Sequence, residues 1–353
     1  MQSSQSNETN ASLAEVQIDL RSDTVTRPTA EMYASMRSAP LGDDGLEGDP
    51  TVQRLEATTA NILGKEAGLF FPTCTMANLV AAISQAGRNE QVLIEANAHM
   101  FTSERGSATF SGLFYEPIAG EDGAMDIDLL TDAVVYNRNK LKTALICMET
   151  SHNNAGGTVL PLEHMRTVFE LGQGQGVRVH LDGARLFNAA VALDVEPSEI
   201  SKHADSVSVC LSKGLSAPAG AILVASGETI KSAKALRKML GGTQRQVGIL
   251  AAAGLEGILN MGARLIHDHT NARRLSEALN DGRTGLKASR PQTNIVQVDV
   301  SGSGRTSFQW RSELETAGLW VRPWGVNLLR CVTHRHISEA DIDLAVDIFK
   351  KLA

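Results

Sequence analysis

Val177-Arg178-Val179-His180-Leu181 runs into Asp182-Gly183-Ala184-Arg185, and Ser206-Val207-Ser208-Val209-Cys210-Leu211 runs into Ser212-Lys213-Gly214. Each is an apolar run of strand length, rich in valine, that stops on residues able to do chemistry. Around them helical and extended patterns alternate. Apolar spacing predicts a helix over 50–63 (Val52, Leu55, Ala60, Leu63) that stops at Gly64. A strand over 67–71, a polar turn at Thr73-Cys74-Thr75 and a helix over 76–86 follow. Further strands are expected at 91–95, 143–148, 177–181, 206–211 and 221–225, with a helix at 162–171. Short strands joined through helices need crossover connections, hence a mostly parallel sheet covered on both faces. Ligands of such sheets gather beyond the carboxyl ends of the strands. Asp182 and Lys213 both stand there.

After Arg264 the pattern changes. A polar helix (267–279), a strand (295–300), a helix (310–317), a strand (328–332) and a closing helix (337–352) predict a smaller α+β lobe. The expected division is a disordered tail at 1–15, a large domain at 16–262 and a small C-terminal domain at 263–353. The tail is rich in Ser, Asn and Gln, with neither the basic start nor the apolar stretch of a signal peptide.

Composition narrows the classes. The 353 residues are 42% hydrophobic and 21% charged, ordinary for a globular protein with a sizeable core. A net charge of −7 argues against a nucleic-acid surface, which needs clustered Lys and Arg. No apolar run approaches the length that spans a bilayer. Cys74, Cys147, Cys210 and Cys331 form no CxxC pair, so reduced thiols and a cytoplasmic location are expected.

An acidic residue at one strand end and a lysine at a nearby one is what a pyridoxal phosphate site needs. The carboxylate keeps the pyridine nitrogen protonated so that the ring can drain electrons from a substrate, and the lysine amine forms an imine with the cofactor. Alone, Lys213 reads as a solvated loop lysine and Asp182 as a helix cap. Their conjunction, with Arg185 beside them, favours the cofactor. The Thr73-Cys74-Thr75 turn before a helix offers backbone N–H groups and hydroxyls to a phosphate, and His99, just past a strand, could stack on a flat ring. The pairs His267/His269 and His334/His336 lack supporting carboxylate or cysteine ligands, so no metal is expected.

These residues carry a family resemblance. The stretches are Asp19-Leu20-Arg21-Ser22-Asp23-Thr24-Val25-Thr26-Arg27-Pro28, Leu181-Asp182-Gly183-Ala184-Arg185-Leu186-Phe187-Asn188-Ala189, Ser206 through Gly214, and Arg237-Lys238-Met239-Leu240-Gly241-Gly242. In this order they resemble the low-specificity L-threonine aldolases of the β-eliminating lyase group. The likeness implies an α/β, aspartate-aminotransferase-like chain of fold type I, with pyridoxal 5′-phosphate as cofactor. It implies that Lys213 is the Schiff-base lysine, Asp182 the partner of the pyridine nitrogen and Arg185 that of the phenolic oxygen. His99 would stack on the ring, Cys74 and Thr75 would hold the phosphate, and Arg245 would reach a phosphate in a neighbouring subunit. Ser22 and Arg330 would bind the substrate carboxylate, His152 would sit near the β-hydroxyl, whose proton would go to His152 or to a water it positions, and Glu104 would complete the water and proton network.

The implied reaction is retro-aldol cleavage of a β-hydroxy-α-amino acid such as threonine or allo-threonine, yielding glycine or a related amino acid and an aldehyde. Aldehyde transfer, β-elimination and racemization use the same site and are its alternatives. A homodimer or homotetramer with shared active sites is implied as well. Departures fall on the substrate side. Gly45-Leu46-Glu47-Gly48-Asp49-Pro50 lacks the tyrosine usual in that loop, and Cys74 replaces the usual glycine of the phosphate turn.

Overall fold

The computed structural model describes residues 18–136, 141–282 and 284–353; the tail expected at 1–15 lies outside them. Its strands, in chain order, are β1 (Ile18–Asp19), β2 (Ala67–Phe71), β3 (Gln91–Glu95), β4 (Phe114–Ile118), β5 (Gly120–Glu121), β6 (Ala124–Met125), β7 (Thr143–Glu149), β8 (Arg178–Asp182), β9 (Ser206–Cys210), β10 (Ala221–Ala225), β11 (Lys287–Ala288), β12 (Ile295–Asp299), β13 (Leu319–Trp320), β14 (Arg322–Pro323) and β15 (Leu328–Val332). Seven of them form the central sheet in the order β2-β10-β9-β8-β7-β3-β4. β10 is antiparallel to both its neighbours, and all other pairings are parallel. The carboxyl ends of the other six strands therefore share one edge.

Side-chain alternation explains why this sheet is buried yet carries polar residues. Val179, Leu181, Val207 and Val209 point to one face and join the main core with the helices Pro50–Ile62, Leu162–Gln175, Leu186–Leu193 and Gly248–Asn260. On the opposite face His180, Asp182, Ser206 and Ser208 form a polar stripe, each at most 2% exposed. Two apolar clusters flank that stripe, one around Leu69, Phe71 and Leu223, the other around Val92, Ile94 and Leu145. The helix Cys74–Gln85 lies over the stripe and supplies Asn78 to it.

The later elements form the four-stranded antiparallel sheet β11-β12-β15-β14, with a separate apolar core around Trp310, Leu314, Leu329 and Phe349. One segment is assigned differently from its sequence reading. Ile18 and Leu20, expected in the large domain, are buried in this second core, and β1 pairs in parallel with β13. The chain then passes from Leu20 straight to the central sheet's edge, so residues 21–23 stand between the two cores.

Local differences have local causes. The helix expected at 76–86 begins at Cys74, because the Thr73 side chain accepts the Met76 N–H and caps it earlier. The helix expected at 162–171 runs on through two glycines to Gln175 and stops at Gly176, whose φ of 66° reverses the chain. The expected strand at 177–181 is Arg178–Asp182, so Asp182 is the last strand residue. Among the described residues, no single helix is long and apolar enough to cross a membrane.

Candidate active site

Asp182 ends β8 in register with Glu149 at the end of β7 and with Ser208 in β9, and Lys213 lies just past the end of β9. Asp182 is 2% exposed. Its carboxylate accepts Asn78 Nδ2–H at 2.9 Å on one oxygen and the Ala184 N–H at 3.0 Å on the other. Lys213 is half-buried, and its carbonyl accepts the Thr26 hydroxyl at 2.9 Å, which ties the lysine loop to the 21–26 segment.

Cys74 lies between these two groups. Its thiol hydrogen-bonds to that of Cys210; this bond, burial and the Asp182 charge push it well up, while Lys213 opposes. Cys74 Sγ is also 3.8 Å from Ser208 Oγ. Cys74 and Thr75 occupy the first turn of a 12-residue helix, where N–H groups have no intrahelical acceptor. An anionic group beside Lys213 meets those N–H groups and the positive end of the helix dipole.

His99 opens the helix His99–Thr102 after β3. Its Nδ1 is 3.1 Å from Glu104 Oε1, and its Nε2 has no hydrogen-bond partner among the described residues. The Glu104 hydrogen bond raises the His99 pKa above its ordinary 6.5, with burial opposing. Ligand atoms of His99, Glu104 and Asp182 all lie within 4.8 Å of one another, so the imidazole and the strand-end carboxylate are near neighbours.

His152 is placed differently from its expected role. It is fully buried; Nε2 donates to Glu95 at 3.0 Å, and Nδ1 accepts the Ala155 N–H at 3.2 Å. Both ring nitrogens are engaged. No lone pair is left for a β-hydroxyl proton. Burial works against charge on this ring, but the Glu95 hydrogen bond and the Glu149 carboxylate outweigh it and raise its pKa.

Arg185 and Arg330 form the cationic wall. Arg185 is paired in two places with the buried Asp23. Asn153 Oδ1 accepts from Arg185 Nη1 at 3.3 Å and from Arg330 Nη1 at 2.8 Å. Arg330 also donates through Nη2 to the Arg21 carbonyl and lies 4.1 Å over the Trp324 ring. Its buried Nε has no partner among the described residues, nor do Glu104 Oε2 and Ser151 Oγ. Burial and the neighbouring Arg185 guanidinium lower the Arg330 pKa to about 9, against the pull of Asp23. Such a site favours an added anion. Ser22 sits between Arg21 and Asp23, its Oγ accepting from the Thr24 backbone and hydroxyl.

Arg245 stands apart. Its side chain is 69% exposed, with Nη1 3.4 Å from Asp43 in the 42–49 loop. That loop is fixed instead by Arg237, which is 1% exposed and donates to Asp44 and to the Phe70 carbonyl, each at 2.7 Å.

The donor set fits pyridoxal phosphate: an amine, a buried carboxylate one strand away, a helix start whose Cys74 and Thr75 N–H groups have no intrahelical acceptor, and a nearby imidazole. The model for the β-eliminating lyases matches residues 19–303, which include every one of these groups except Arg330. This chain belongs to that family. In this lyase the matched span carries the lysine and both carboxylates, while Arg330 lies in the lobe beyond it.

Relatives match over most of the lyase. It is 39% identical over 342 residues to low-specificity L-threonine aldolase 1 of Arabidopsis thaliana, covering 95% of this chain and 96% of that one. It is 39% identical over 332 residues to the low specificity L-threonine aldolase of Escherichia coli, covering 92% and 96%. Among solved structures, a Leishmania major threonine aldolase superposes with a TM-score of 0.81 at 18% identity, covering 95% of this chain and 99% of that one, a likeness of fold.

Four residues of the site escaped the sequence reading: Asn78, Glu95, Glu149 and Asn153. Asn78 and Glu95 are polar residues in or beside an apolar run, and Glu149 and Asn153 lie in the polar stretch 149–154. A signal existed for Glu95 and Glu149, which end strands as Asp182 does. Nothing in the sequence marked Asn78 or Asn153.

Proposed function

We propose that this lyase cleaves the Cα–Cβ bond of β-hydroxy-α-amino acids of the threonine and allo-threonine kind, releasing glycine and an aldehyde, with pyridoxal 5′-phosphate carried on Lys213. The observation that carries the proposal is that the Cys74 helix start lies close enough to both Lys213 and Asp182 to feel their charges, in a chain that also buries an arginine, Arg330, whose Nε has no partner among the described residues. When bound, the cofactor supplies a sink for the electron pair left at Cα.

The protein residues do the rest. Asp182 holds a proton on the ring nitrogen, and the Cys74 and Thr75 N–H groups take the phosphate. Arg330, with Ser22, would take the substrate carboxylate and so orient the amino acid in the site. His99 covers the ring. It also supplies, through Nε2, the acceptor for the β-hydroxyl proton, a role that its Glu104 hydrogen bond supports. His152 holds Glu95 and Glu149 in place from behind.

The assembly belongs to the same reading. Leu46 and Met239 are 79% and 75% exposed, and the cation of Arg245 lies at the same surface. Such a patch supports a second copy seated there, with Arg245 turned toward the copy's phosphate site. Four unpaired thiols support a reducing compartment, the cytoplasm.

Incubation of the purified protein with threonine, allo-threonine and bulkier β-hydroxy amino acids tests the activity. Equimolar glycine and aldehyde are expected. Formation of a 2-oxo acid with ammonia, or of the enantiomer without aldehyde, would replace aldol cleavage by elimination or racemization.

A further inference from the structure

Behind Asp182, on the side of the sheet stripe, lies a chain of buried polar groups that the reaction itself does not touch. Asn78 is fully buried, and both its N–H donors and both its oxygen lone pairs are engaged. Its Nδ2 donates to Asp182 Oδ2 at 2.9 Å and to Glu104 Oε1 at 3.4 Å. Its Oδ1 accepts from Ser208 Oγ at 2.5 Å and lies 3.3 Å from His180 Nε2. His180 Nδ1 is 2.8 Å from Ser206 Oγ, which accepts Gln85 Nε2–H at 2.7 Å.

The hydrogens in this chain can be placed. Asn78 Oδ1 is only an acceptor, so His180 Nε2 carries the proton. Burial keeps this imidazole neutral, lowering its pKa to about 4, so Nδ1 is an acceptor and Ser206 donates to it. Gln85 donates to Ser206 in turn. Every donor thus points the same way: Gln85 to Ser206, Ser206 to His180, His180 to Asn78, and Asn78 to Asp182. Aligned hydrogen bonds polarise one another, and their positive ends here converge on a carboxylate. The second Asn78 contact binds the Glu104–His99 pair to the same node.

We propose that Asn78 and His180 are positioning residues for the cofactor's ring nitrogen: they form a one-way donor relay that holds the Asp182 carboxylate in line with that nitrogen. The inference rests on the pyridoxal phosphate reading above and adds to it two residues that never touch substrate. Without the relay, the Asp182 carboxylate turns out of line with the ring nitrogen, which then loses part of its positive charge. A ring that withdraws fewer electrons leaves the nitrogen joined to Lys213 more basic.

The test compares holoenzymes of wild type, Asn78→Ala, His180→Leu and His180→Gln. The glutamine can donate to Asn78 and accept from Ser206, so it keeps the direction of the relay. The readouts are the pH midpoint of the visible cofactor band, the dissociation constant for pyridoxal phosphate, and Tm. Asn78→Ala and His180→Leu are expected to raise the midpoint by about one pH unit and weaken cofactor binding about tenfold. His180→Gln is expected to stay near wild type in both. Unchanged midpoints in folded Asn78→Ala and His180→Leu, or a His180→Gln midpoint displaced as far as that of His180→Leu, would overturn the relay. A wild-type protein that takes up no cofactor fails at the earlier step, and that outcome overturns both.

Discussion

Arg185 grips Asp23 with two edges of its guanidinium, Nε and Nη2 each 2.7 Å from a different carboxylate oxygen, in a pair at most 5% exposed. The two residues are 162 positions apart. Asp23 follows the short β1 segment that is tied to the C-terminal lobe, and Arg185 follows the central strand that carries Asp182. The pair therefore pins the 21–23 segment to the strand that carries Asp182. Burial alone disfavours the Asp23 anion, but Arg185 overcomes it and holds the carboxyl far below the ordinary carboxylate range.

Breaking this pair from one side leaves a buried charge without a partner. Asp23→Ala is expected to destabilise the fold by about 3–5 kcal/mol in urea unfolding. The pH dependence has a fixed sign. A depressed folded-state pKa gives stability that is present above the unfolded value, near 4, and is lost as pH falls through and below it. The wild-type loss between about pH 4 and pH 2 should shrink in the variant. An Asp23→Ala protein as stable as wild type at neutral pH would show that the pair is not a structural pin.

His99 and Glu104 predict a pH profile. The proton acceptor must be neutral, and Glu104 raises the His99 pKa above 6.5. The acid limb of kcat should have its midpoint above that value, and Glu104→Gln should move it to lower pH. An acid limb untouched by Glu104→Gln but moved by Glu95→Gln would return the role to His152.

Arg330 is expected to act through its fork. Arg330→Lys keeps the charge and loses two-point contact, so KM for the amino acid should rise about 10- to 100-fold. The visible spectrum of the bound cofactor should not change. A spectral shift with an unchanged KM would place Arg330 at the cofactor instead of the substrate.

The fold was legible for one reason. β2, β3, β10 and β15 have the expected bounds, because each is an apolar run framed by polar or glycine residues. Asp182 and Lys213 could be read because each ends such a run. What lay beyond the sequence was partnership across long separations. The engaged nitrogens of His152 depend on Glu95, which is 57 positions away, and Asn78 gains meaning only beneath Asp182, 104 positions on. The placement of Ile18 and Leu20 in the second core likewise depends on β13, some three hundred residues later. A polar residue inside a strand, such as His180 or Ser206, looks from the sequence like a flaw in an apolar pattern. In the folded chain it belongs to a buried stripe.

The most direct measurement is borohydride reduction of the purified, coloured protein followed by peptide mapping. A single pyridoxyl group on Lys213, absent when Lys213→Ala is treated in the same way, is the predicted result. A colourless protein, or a label at any other lysine with Lys213 unmodified, would contradict it.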